Sequence, residues 1–134
     1  LYDYNPKRIP FSGPEVGVIY PGCKSAKTNK ERKRCMSTKI SQVVAKRFNT
    51  RLATKLDLNG VQRIYVVFKI NLQGKPVEIR ARGPHPELEK EAIRVVKKLP
   101  KMTPGTIENI PVNVMYTLPI IFNVEGKSSK RKRG

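Results

Sequence analysis

The sequence has a single histidine and only 10 Asp and Glu residues against 28 Lys and Arg. His85 stands between Pro84 and Pro86, and no serine or carboxylate lies at a recognisable catalytic spacing from it, which argues against a triad. Glu87, Glu89 and Glu91 fall at the start of a helix-forming stretch, where the helix dipole accounts for them. Gly74 and Gly105 are isolated and belong to no phosphate-cradling loop. Neither an enzyme activity nor a cofactor is expected. No apolar run is long enough to span a bilayer, and the chain opens on Leu1 without a signal-like segment. We read it as a fragment or processed form, with any anchor or targeting signal outside it. Cys23 and Cys35 have no second pair and no nearby histidine, so no metal site is expected. They are close enough for a local disulfide, which implies an oxidising compartment; the alternative is two unpaired thiols packed as small hydrophobes.

Hydrophobic residues make up 38% of the 134 positions and charged ones 28%, a globular composition for one domain with a modest core. The formal net charge is +18, so the partners are expected to be anionic. A basic nucleic-acid-binding domain is one reading of that charge. Tyr65, Tyr116 and Phe122 are candidates for a base-stacking platform. Aromatics are only 7%, however, and no basic-aromatic recognition motif appears, so these residues are assigned to the core or the sheet surface. Part of the charge sits in residues 126–134, with Lys127, Lys130, Arg131, Lys132 and Arg133, which we expect to be a disordered basic tail. Residues 1–15, with Pro6, Pro10 and Pro14, are expected to be an extended linker end.

Between these ends, residues 16–125 read as one domain. Val16 to Tyr20 forms a short extended piece stopped by the turn Pro21-Gly22. Thr28-Asn29 caps a helix whose apolar positions are Met36, Ile40, Val43, Val44 and Phe48. Thr50 caps a short second helix through Leu52, Leu56 and Leu58, ended by Asn59-Gly60. Val61 to Leu72 then alternates with period two, Gln73-Gly74-Lys75 turns the chain, and Val77, Ile79 and Ala81 alternate with Glu78, Arg80 and Arg82, predicting a β-hairpin. Leu88, Ala92, Val95, Val96 and Leu99 recur at helical spacing before Pro100 and Pro104-Gly105. Val112 to Val124 alternates over the longest stretch and predicts a third strand.

The expected fold class is α+β: a two-layer α/β sandwich, with a three-stranded antiparallel sheet in the order 2-1-3 and helices packed on one face. The first strand goes in the middle because it lacks proline and is apolar on both faces. Of the two edges, the second strand is guarded by Glu78, Arg80 and Arg82, whereas no charged residue occurs from Pro111 to Val124. Pro111 and Pro119 have the same parity, and neither has an N–H, so both belong on the unpaired side. That parity leaves Asn113, Met115 and Thr117 to present free backbone groups. The candidate peptide-binding residues are therefore Asn113, Val114, Met115, Tyr116, Thr117 and Leu118, taking an extended peptide by strand addition. The alternative occupants of that edge are the chain's own N-terminal segment or a second copy.

Tyr20-Pro21, Gly60-Val61, Ile64-Tyr65-Val66-Val67-Phe68, Gly74, Val77, Leu88, Glu91-Ala92, Leu99-Pro100, Pro104-Gly105 and Pro119-Ile120-Ile121-Phe122 occur in an order that resembles the TonB C-terminal domain. Tyr20-Pro21-Gly22-Cys23 with Cys35-Met36 resembles the branch common in Bacteroidetes. The resemblance implies a periplasmic binding domain tethered through an absent N-terminal part to an inner-membrane ExbB/ExbD-type motor. It implies partners in outer-membrane TonB-dependent transporters, whose TonB box lies alongside the last strand and couples the proton motive force to active uptake. It also makes Val18, Ile19, Tyr20 and Pro21 a secondary contact with the transporter. Peptidoglycan and lipopolysaccharide are further anionic partners to be considered, with nucleic acid as the second reading.

Overall fold

The computed structural model describes residues 15–124. The expected linker end before Glu15 and the basic tail after Val124 lie outside them. Two 11-residue strands, β2 (Gly60–Ile70) and β6 (Val114–Val124), pair antiparallel in one unbroken register from Gly60↔Val124 to Ile70↔Val114. Their even-numbered side chains face one way, because side chains alternate along a strand. Ile64, Val66, Phe68 and Ile70 are fully buried on that face, beside Val114, Tyr116, Leu118 and Ile120. The strand β3 (Pro76–Arg82) pairs with the other side of β2, giving the order β3-β2-β6. The central position of the proline-free strand is as the sequence predicts.

Helices α1 (Asn29–Arg47) and α3 (Pro86–Lys97) pack their apolar sides into the same core cluster, α3 against β2 and β3 and α1 against β6. Each begins with a side-chain cap. Thr28 accepts from the Glu31 N–H, a first-turn donor, while Glu31 Oε1 accepts from the N–H of Lys27, just before the cap, at 2.7 Å. His85, expected on a loop, is the N-cap of α3 and accepts from the Glu87 N–H at Nδ1, with Pro86 following it where a missing N–H is harmless. Contrary to the sequence prediction, Thr50 does not cap the short helix α2 (Arg51–Lys55). Thr50 already has helical dihedrals and no cap bond, and the Asn49 side chain accepts from the Arg51 N–H instead.

Three further features depart from the sequence reading. First, β3 carries a bulge: Val67 pairs with Arg80 but Lys69 with Val77, so two residues of β3 face one of β2, and Glu78 takes φ +51°. The bulge reverses the alternation, so Val77 faces the outer side of the sheet beside Lys69 while Ile79 and Ala81 pack on the core. Second, the third strand does not run unbroken from Val112. The chain breaks at Asn113, and its preceding piece, β5 (Ile110–Val112), forms a hairpin with β4 (Gly105–Ile107). Glu108 and Asn109 both have positive φ, the mark of the tight turn that suits a twisted hairpin. Third, β1 (Glu15–Val16) joins this hairpin as a second three-stranded sheet, β1-β4-β5, and Ile19↔Thr103 continues the same register.

A turn and a carboxylate tie these layers together. Asn71 Oδ1 accepts from the N–H of both Gln73 and Lys75, closing the β2–β3 hairpin, and Gly74 C=O accepts from the Met102 N–H at 2.9 Å. Gly74 has φ +83°, and a Cβ there would lie 1.7 Å from Met102 O. Glu91 is buried, although its position near the helix start suggested the dipole alone. It accepts from the Asn49 N–H at 2.8 Å and from two nitrogens of Arg94, fastening α3 to the end of α1. The Arg94 hydrogen bonds, then that from Asn49, hold its carboxyl below the usual carboxylate range against the opposing effect of burial.

Gly74→Ala is expected to lower the unfolding free energy by about 3 kcal/mol, from left-handed strain and the backbone collision together, read by urea denaturation. Glu91→Ala should cost about 2 kcal/mol at neutral pH, because the Asn49 N–H loses its acceptor. Since the folded-state carboxyl is depressed, its contribution is present above the ordinary glutamate value and is lost as pH falls. The difference between wild type and variant should therefore shrink below about pH 4 in acid titrations.

Candidate functional site

One edge of the β3-β2-β6 sheet is guarded and the other is bare. On β3 the charges Glu78, Arg80 and Arg82 are joined by the bulge, and both discourage a new strand. Among the described residues no strand pairs with the far side of β6. Of the N-terminal segment, one expected alternative, the described part, Glu15–Val16, pairs with β4.

Pro119 sets which backbone groups face outward. It stands opposite Tyr65 in an unbroken ladder, and a proline has no N–H to donate across a hydrogen-bonded pair. The odd positions of β6 therefore point away from β2, so Met115 and Thr117 direct N–H and C=O to the open edge. Pro111, which the sequence argument placed on the same edge, belongs to β5 opposite Thr106. Asn113 sits in the break between β5 and β6 and lies outside the strand. Val114, Tyr116 and Leu118 turn their side chains into the core, leaving Met115 half-buried and Thr117 exposed on the outer face.

Two grooves lie between β6 and α1. The larger, about 430 Å³, is lined by Leu118 to Phe122 together with Ser41, Val44, Ala45, Phe48 and Thr50. Five consecutive residues of β6 line it, inward and outward ones alike. That places it at the strand's unpaired edge, since β2 occupies the other. The second, about 310 Å³, is bounded by Val114 and Tyr116, by Gly17 and Val18, and by Lys30, Lys33 and Met36 of α1. Between them the hydroxyls of Ser37 and Tyr116 share a hydrogen bond. Burial raises the Tyr116 phenol above its ordinary value, and the bond to Ser37 only partly opposes this. Sequence reasoning missed Lys30, Lys33, Ser41 and Ala45, although they fall on the i, i+3, i+4 stripe that flanks the apolar one.

The segment before α1 forms the end wall. Tyr20-Pro21-Gly22-Cys23 is a tight turn, with Cys23 N–H donating to Tyr20 C=O and Gly22 at φ +90°. Cys23 and Cys35 form a disulfide that ties this turn to α1, in agreement with the first of the two cysteine readings. Of the expected secondary contact residues, Val18 and Tyr20 are buried in the core and Ile19 bonds through both backbone groups to Thr103. Pro21 alone of the four is exposed. Asn29 fastens the same segment to α1, accepting from the Gly17 N–H at 2.7 Å and donating to Glu15 C=O.

The three strand aromatics do not form a platform. Tyr65 lies on the outer face, whereas Tyr116 packs edge-on to Phe68 and Phe122 against Phe48. Among the described residues there is no cluster of metal-ligating side chains. Nor is any helix among them long and apolar enough to cross a membrane.

Residues 51–124, more than half of the chain, match the family described as Gram-negative bacterial TonB protein C-terminal. The chain belongs to that family. No curated protein and no solved structure matches it. The matched part of this TonB C-terminal domain runs from α2 through β6 and so contains the open edge. The other wall of both grooves, α1, and the disulfide precede it.

Replacing Cys23 and Cys35 by serine should destabilise the domain by about 3 kcal/mol through the short loop they close, measured by denaturation under non-reducing conditions. A thiol assay on unreduced protein should find no reactive cysteine.

Proposed function

We propose that the chain is the periplasmic binding domain of a TonB-type energy transducer, which takes the TonB box of outer-membrane transporters as an added strand along β6. The observation that carries this reading is the long edge of β6, with no charged residue and outward N–H and C=O groups at Met115 and Thr117. Exposed edges of this kind pair with other chains unless something blunts them, and an extended segment satisfies their backbone groups while side-chain grooves select its sequence. Membership of the TonB C-terminal family supports the same partner class, transporters that depend on such transducers. In this reading the domain is a binding module and not an enzyme. The pull it transmits comes from an ExbB/ExbD-type inner-membrane motor reached through a preceding part of the protein, and it drives active uptake with the proton motive force.

The basic surface fits anionic transporter faces, and peptidoglycan or lipopolysaccharide as secondary partners. Charge alone would equally suit nucleic acid, so the test contains both arms. Full-length chain is titrated with labelled TonB-box peptides and, separately, with DNA and RNA over a salt series. Saturable peptide binding is expected, with nucleic acid held weakly and only at low salt. Tight, steeply salt-dependent nucleic-acid binding without peptide binding would overturn the proposal. Met115→Pro deletes an outward donor and leaves the ladder to β2 intact. It should abolish peptide binding while the circular dichroism spectrum and unfolding midpoint stay near wild type. Unchanged affinity would mean that the register of the edge is wrong.

A further inference from the structure

Both long helices pack on one face of the β3-β2-β6 sheet, and the opposite face is open. Its side chains are the odd-numbered residues of β2 and β6, joined by the β3 residues that stand directly opposite, because cross-strand partners share a face. Tyr65 lies between Arg82 of β3 and Pro119 of β6, Arg63 lies beside Ile121, and Val67 lies between Arg80 and Thr117. Val61 is 50% exposed, Tyr65 46% and Ile121 57%, so this face holds three of the five large hydrophobic side chains exposed among the described residues. Scattered singly such residues are ordinary, but grouped and rimmed by charge they mark an interaction surface. The only carboxylate in the three strands, Glu78, is taken up by Lys69 at 3.4 Å. Arg63, Arg80 and Arg82 are exposed and enter none of the ion pairs among the described residues.

We propose that this face docks on the surface of an acidic phospholipid bilayer, with Tyr65 and Ile121 at headgroup level and Arg63, Arg80 and Arg82 on the phosphates. A second copy of the chain is a poor occupant, since it would bring like arginines together under a net charge of +18. No hydrogen bond fixes any of the three guanidiniums among the described residues, so the face lacks oriented forks that would read a fixed pattern of carboxylates on a folded protein. A bilayer presents no fixed pattern. Its anionic headgroups move laterally to meet mobile arginines, whose long stems let the charges reach phosphate while the apolar side chains sink between headgroups. Tyrosine suits that depth, having an apolar ring and a polar tip. The proposal is independent of strand addition. The backbone groups of the β6 edge point along the plane of the sheet, so a bilayer against the face leaves them open.

The test is co-sedimentation of the full chain with vesicles of phosphatidylcholine containing phosphatidylglycerol, and with vesicles of phosphatidylcholine alone. Binding is expected only to the acidic vesicles. Each arginine at the surface is worth about fivefold, so Arg63→Gln/Arg80→Gln/Arg82→Gln should lower the partition coefficient about 100-fold. The charge-matched control Lys46→Gln/Lys55→Gln/Lys97→Gln, on the helical layer, should lower it about threefold or less, because those charges stand beyond a screening length of about 10 Å at 0.1 M salt. Arg63→Lys/Arg80→Lys/Arg82→Lys should stay within about twofold of wild type, since a mobile anionic surface accepts either cation. All these positions are exposed, and thermal unfolding checks that each variant is folded. The chain has no tryptophan, so Ile121→Trp gives a single reporter whose emission should shift to the blue on acidic vesicles, while Lys55→Trp on α2 should not shift. Equal losses in the two glutamine variants, a shift only at Lys55→Trp, or no vesicle binding by wild type would each overturn the proposal. If wild type ignores vesicles but the three arginines are needed to bind a transporter lacking its TonB box, the face belongs to an acidic protein instead. Binding of TonB-box peptides is scored separately, so either reading can fail alone.

Discussion

The ladder between β2 and β6 is the constraint on which the rest of the domain depends. Its register runs without a break from Gly60↔Val124 to Ile70↔Val114, so the even positions of both strands form one continuous apolar face. A slip of one residue would turn that whole set toward water. Pro119 can be accommodated only where β2 asks for no N–H, so the register and the proline select the same side. Once the face exists, α1 and α3 have a surface on which to bury Met36, Ile40, Leu88, Val95 and Val96. Once β3 occupies one side of β2 and β6 the other, two outer edges remain among the described residues, and the longer, uncharged one is that of β6.

What borders that edge comes from a different part of the chain. The segment from Glu15 to Cys23 pairs with β4, turns at Pro21-Gly22, and is tied by Asn29 and the disulfide to α1. It therefore supports the helix at the side of the groove without filling the edge itself. The family match begins only at α2, so it includes the open edge of β6 and leaves out the helix facing it. The basic first turn of α1 gives one location to part of a charge that the composition states only as a sum.

Most of the framework was legible from local pattern. Period-two alternation at Ile64, Val66, Phe68 and Ile70 marks a strand buried on one face, and the spacing of Met36, Ile40 and Val44 marks a helix against it. The absence of charge from Pro111 to Val124 pointed to a strand whose far side is unpaired among the described residues. Less legible were the features made by contact between distant residues. Val77 keeps the alternation in sequence yet faces outward, because the bulge at Glu78 adds a residue that no pattern announces. Val112 continues the alternation of the last strand yet belongs to another sheet, because β4 pairs with it and the chain breaks at Asn113.

By itself, then, the sequence determined the main helices, the three strands of the β3-β2-β6 sheet, the central place of the proline-free strand and the unguarded edge, since periodicity, proline and charge act within a strand or helix and are read residue by residue. Only the tertiary structure decided that Pro111 leaves the edge while Pro119 defines it, that Val18 and Tyr20 are core, and that Lys30 and Lys33 stand over one end of β6. These depend on which segments meet. Pairing and packing between positions far apart in the chain leave no periodic trace in either partner, so they are settled by the fold.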